Sequence, residues 1–77
     1  MNKARRNRIA DVQSQLEALM QEIDSILEEE QEAYDNMPES LQNGERGEAM
    51  QGAIEALESA VSSCEELDEY LTDATDH

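Results

Sequence analysis

Apolar residues recur at positions 9, 12, 16, 19, 23 and 26, and again at Ala33 and Met37. Alternating steps of three and four are those of a helix that buries a stripe against another helix. Glu30 is the one interruption. With Ile9 as heptad position a, Leu16, Ile23, Glu30 and Met37 are also a, and Val12, Leu19, Ile26 and Ala33 are d. Met20, Leu27 and Tyr34 fall at e and widen the stripe beyond what one partner helix needs. The pattern predicts a first helix from about residue 3 to residue 35.

Asn36 to Gly44 reads as the turn. Pro38 cannot continue a helix and pushes Met37 towards extended backbone. Asn36 followed by Glu39 has the form of a capping box for a short helical turn through Leu41. Asn43 and Gly44 end that turn and start a second helix, predicted over 45–72. Gly47 in its first turn marks an expected soft spot, at about 1 kcal/mol relative to Ala.

The second helix repeats the spacing at Met50, Ala53, Leu57, Ala60, Cys64, Leu67, Leu71 and Ala74, with Ile54 and Val61 at e. Its d positions are mostly alanine. The two stripes match as an antiparallel pair in which Ile9 meets Ala74, Leu16 meets Leu67, Leu19 meets Cys64, Ile23 meets Ala60, Glu30 meets Ala53 and Ala33 meets Met50. This register has its midpoint inside the turn, so the fold class expected is all-α, an antiparallel two-helix hairpin forming one domain over 1–77. A lone hairpin would leave Met20, Leu27, Ile54 and Val61 half exposed. A homodimeric four-helix bundle would cover them.

Composition sharpens this picture. The 77 residues contain no Phe or Trp, two Tyr and one Cys. A core this small contributes little unless a disulfide, a metal or another subunit helps. Cys64 has no partner for a disulfide, and no Cys/His spacing suggests zinc. Oligomerisation remains. The net charge is −15, from 20 acids against five Lys or Arg. Repulsion then excludes direct binding to nucleic acid and to anionic membranes, and favours a basic protein as partner.

The basic segment 1–8 holds Lys3, Arg5, Arg6 and Arg8 but no apolar core of a signal peptide. No apolar run approaches the length that spans a bilayer. With an unpaired Cys these features indicate a cytoplasmic protein. The basic segment either pairs with Asp73 and Asp76 at the open end of the hairpin or forms a small contact site.

Catalysis is not expected. The only His is His77, Cys64 lies on the seam without a base beside it, and no serine has a histidine to activate it. Asn43-Gly44-Glu45-Arg46-Gly47 lacks the strand and the Lys-Ser/Thr of a phosphate loop. Glu29/Glu32 and Glu66/Glu69 have helical spacing but no Glu-x-x-His motif, so no metal or cofactor is expected. The acids at b, c and f serve either as a solvated face or as a mimic of nucleic acid, because a dimer would approach the linear charge density of duplex DNA.

The segment from Glu28 to Gln42, with Tyr34-Asp35-Asn36-Met37-Pro38-Glu39 at its centre, followed by Glu45-Arg46-Gly47-Glu48, resembles small acidic helical proteins of bacterial phages and mobile elements. The resemblance covers nearly the whole chain and is most specific in the turn. It implies a phage or mobile-element origin and a place in the host bacterial cytoplasm. By analogy with other accessory proteins of this size, it implies an inhibitor of a host protein. Two groups of partner-binding candidates follow. Tyr34 and Met37 either cap the closed end of the bundle or form a binding tip. Glu28, Glu29, Glu32, Glu65, Glu66 and Glu69 would carry the charge.

Overall fold

Asn2 begins the first helix. Its side-chain oxygen accepts a hydrogen bond from the Arg5 backbone N–H at 2.8 Å, satisfying one of the free donors of the first turn. In the computed structural model, which describes residues 1–77, α1 then runs Lys3–Asp35, α2 Glu39–Gln42 and α3 Glu45–Thr75, with no strand. The predicted limits hold for α1 and for the start of α3. The C-terminal end of α3 runs three residues past the expected Thr72, closed by a 2.8 Å bond from the Thr75 hydroxyl to the Thr72 carbonyl.

The turn departs from its expected form. Asn36 ends α1, with its N–H bonded back to the Glu32 carbonyl at 3.0 Å, and does not cap α2. Pro38 takes the N-cap position instead, at φ −57° and ψ 144°, and makes no side-chain cap bond. A proline ring already holds the φ this position needs, so the capping box is not used. The Pro38 carbonyl accepts from Leu41 and Gln42 at 2.9 and 3.1 Å, and the Gln42 side chain returns to the Tyr34 carbonyl at 2.8 Å. The turn is thereby tied to the last turn of α1.

Gly47 is the other half of that joint. It is buried, and a Cβ built on it would fall inside the Gln42 carbonyl group and 2.6 Å from the Gln42 Cα. The expected soft spot is therefore a close approach that only glycine permits. Gly52, one turn and a half further on, has no atom within 4 Å of the corresponding position. Gly52→Ala should accordingly raise stability by about 0.5–1 kcal/mol, read as a small increase in the thermal midpoint.

The seam between α1 and α3 also differs from the expected one. The sheltered positions of α1 are Ile9, Gln13, Leu16, Met20, Ile23, Leu27, Glu30, Tyr34 and Met37. Those of α3 include Gly47, Met50, Ile54, Leu57, Val61, Cys64, Asp68, Leu71 and Thr75. Both sets are mainly a and e; of the d positions only Ala60 and Ala74, both on α3, are sheltered. Leu16 and Ile54, 6% and 7% exposed, are the apolar core. Val12, Leu19 and Ile26 lie outside it at 47%, 59% and 42%, with Leu67 at 46%. So Met20, Leu27, Ile54 and Val61 are not the residues left uncovered.

The reason lies in α3. Its e positions carry Ile54 and Val61, whereas d carries Ala53 and Ala60, so facing e inward buries more apolar surface. The antiparallel register survives this rotation. Gln13 bonds to Asp68 and Thr72, and Gln51 bonds to Tyr34, within two residues of the pairing predicted. The result is a two-layer rod whose Cα extents are 58 × 15 × 12 Å.

Candidate interaction surfaces

Rotating both helices gives the hairpin two unlike broad faces. On one, the b and e positions of α1 and α3 meet. Gln13 Nε2 donates to Asp68 Oδ1 at 3.3 Å and to Thr72 Oγ1 at 3.0 Å, and Gln51 Nε2 donates to the Tyr34 hydroxyl at 2.6 Å. These bonds, near the two ends of the seam, staple the helices on the polar side. No buried side-chain nitrogen or oxygen lacks a partner. Glu30 is half-buried and, after the rotation, shares its layer with Ile54 rather than with Ala53.

The predicted partner-binding residues divide between several places. Tyr34 and Met37 are half-buried and face the seam near the closed end, while Leu41 is exposed. Tyr34 is held by two glutamines, through its carbonyl and its hydroxyl. Glu28 and Glu32, with Asp35 and Glu58, border one shallow depression on the polar face, floored by Leu27 and Gln31. Glu58 is the member that spacing along α1 could not supply, since it comes from α3. Glu65 lies on the same face further along, while Glu66 and Glu69 point outward from α3, all exposed. Glu29 falls at g, on the opposite edge of α1. Roughly 20 Å of helix separates the group on α1 from the group on α3, so they do not form one site.

The other broad face carries d and g. On α1 it holds Val12, Leu19, Ile26 and Ala33, bordered by Arg8, Gln15, Glu22 and Glu29. On α3 it holds Ala49, Ala53, Ala56, Ala60, Ser63, Leu67, Tyr70 and Ala74. Arg46 is the one charged residue on this stripe of α3. Every acid of α3 falls at another heptad position, in a chain with 20 Asp or Glu. Sequence periodicity found the stripe but assigned it to the interior.

At the open end the chain termini meet, the Met1 amine donating to the His77 carbonyl at 2.7 Å. Arg5 and Arg8 border a shallow depression with Met1, Ile9, Asp11 and Val12. The link at this end is between the termini, and not the expected pairing of the basic segment with Asp73 and Asp76. Cys64 is half-buried on the seam. It is about 20 Å along α3 from His77, too far for a nucleophile and its base.

No group of three or more His, Cys, Asp or Glu is placed to hold a metal ion. No helix is long and apolar enough to cross a membrane. No protein family, curated protein or solved structure matches the chain.

Proposed function

We propose that this protein is a non-enzymatic interaction module, an acidic helical hairpin that works as a homodimeric four-helix bundle and binds a basic protein. The observation that carries this reading is the division of its surface. One face carries an apolar ridge on α1, edged by Glu22 and Glu29, and a stripe of α3 without acids, and the other acids occupy the remaining circumference. A purely solubilising charge needs no such division, whereas a bundle that pairs on one side and recognises a partner on the other requires it. The resemblance of the turn region suggests a phage or mobile-element accessory protein acting in the host bacterial cytoplasm, with a host protein as target.

The depression bordered by Glu28, Glu32, Asp35 and Glu58 gathers four acids from two helices where a Lys or Arg of the partner would meet them together. A test is affinity capture from host extract at low and high salt, with wild-type protein and with Glu28→Lys/Glu32→Lys/Glu58→Lys. A basic protein retained by the wild type and lost by the triple variant is the expected result. Equal recovery by both removes the depression from the reading, and no specific partner at either salt overturns the function proposed.

The second reading is mimicry of nucleic acid. Two copies would carry twice the charge of −15 along a rod of 58 Å. Duplex DNA of that length carries about 34 charges. On this reading the captured protein binds DNA, duplex DNA competes with the hairpin for it, and its affinity falls steeply with added salt.

A further inference from the structure

The apolar d and g face has an occupant that can be named. We infer that a second copy of this chain packs on it, with the α1 ridge of Val12, Leu19 and Ile26 of each copy lying along the α3 stripe of Ala74, Leu67 and Ala60 of the other. The inference rests on the homodimeric reading above and assigns it a surface.

Four observations support it. The first is area. The chain exposes 5747 Å², whereas a folded monomer of 8.7 kDa exposes about 4,700 Å². The excess, about 1,000 Å², is close to what one partner of a standard interface buries. The second is spacing. The ridge repeats every seven residues, the period that stays in contact with a supercoiled helix and with no other common element. The third is shape. Val12, Leu19 and Ile26 project from α1, and α3 presents Ala53, Ala60 and Ala74 with Leu67 and Tyr70 among them, on the same face. In the antiparallel register Leu19 is level with Leu67, and Ile26 with Ala60. A two-fold axis along the rod places each α1 ridge over the opposite α3 stripe, the self-complementarity an isologous interface needs.

The fourth observation is charge. Two chains of −15 repel, and a copy approaches most easily where acids are fewest. The d and g stripe of α3 is that place. A basic partner would be drawn elsewhere, to the acidic circumference. The hairpin also needs this face covered in order to be stable, because Leu16 and Ile54 are its only buried apolar residues. An occupant required whenever the chain folds must be present whenever the chain is, and a second copy meets that condition.

The experiment is sedimentation equilibrium on the full chain across micromolar concentrations, with circular dichroism as a check on helix content. Wild type should fit a monomer–dimer equilibrium. Leu19→Gln, at a position already exposed in the hairpin, should keep its helix content when concentrated. Its dissociation constant should rise about ten-fold or more. Ser14→Ala, on the outward face of α1, should leave it unchanged. To place the ridge, Ile26→Cys and Ala60→Cys chains, each also carrying Cys64→Ala, are mixed and oxidised. A mixed disulfide as the main product supports the packing of each α1 ridge on the opposite α3, and a homodisulfide between two Ile26→Cys chains overturns it. A dimer unaffected by Leu19→Gln overturns the assigned surface alone. A wild type that stays monomeric and fully helical at every concentration overturns the surface and the homodimeric reading together.

Discussion

Gly47→Ala is expected to destabilise the hairpin by about 3 kcal/mol or more, lowering the thermal midpoint by over about 10 °C. The added methyl would overlap the Gln42 carbonyl, and the atoms it meets are backbone, not the end of a flexible side chain. Relief requires α2 to lift from α3. That movement would strain the Gln42–Tyr34 bond, which ties the turn to α1. Gly52→Ala supplies the contrast, since the same substitution five residues away should stabilise. Thermal melts of both variants at one protein concentration make the check. If the two alanines shift the midpoint alike, the close approach at Gly47 is not what holds the closed end.

Leu16→Ala is the second large effect, at about 3 kcal/mol. Leu16 is the least exposed apolar side chain of α1 and lies at the centre of the seam. Its loss removes both transfer energy and packing that a two-layer rod cannot restore by collapse. Denaturant titration should show a lower midpoint at every protein concentration. Leu19→Ala, three residues on, touches only the proposed dimer surface. Its cost should be large in dilute protein, where dissociation and unfolding are linked, and should diminish as concentration rises. The two leucines thus separate hairpin stability from dimer stability, although the sequence places them on the same stripe.

The functional reading places partner recognition at the acidic depression and self-association on the apolar d and g face. These surfaces lie on opposite sides of the hairpin, so a dimer would display two depressions, one on each flank. Charge reversal at Glu28, Glu32 and Glu58 should therefore leave the oligomeric state unchanged while abolishing capture of the basic partner. Sedimentation of the triple variant checks this independence.

Much of the architecture was legible from residue order. Pro38, Asn43 and Gly44 set the limits of the turn because ring closure and backbone freedom act locally. Steps of three and four set the helices, and the match between the two stripes set the antiparallel register. The candidate site was less legible. Glu58 joins Glu28 and Glu32 only once α3 lies beside α1. Tyr34 and Met37 could not be assigned to cap or tip until their exposure was known.

What the sequence alone determined, then, is two long helices, a turn and a register, each a consequence of local sterics or of a period along one chain. What tertiary structure decided is which half of a wide apolar stripe faces inward. Positions a, d and e span about 100° of helix surface, and a single partner covers only part of that arc. The choice depended on the other helix, where Ile54 and Val61 offered more to bury than Ala53 and Ala60. The same contact made Gly47 indispensable, because its hydrogen lies where the returning backbone of Gln42 needs room. Turning e inward left Val12, Leu19 and Ile26 on the surface, and with them the apolar face on which a second copy is inferred to pack.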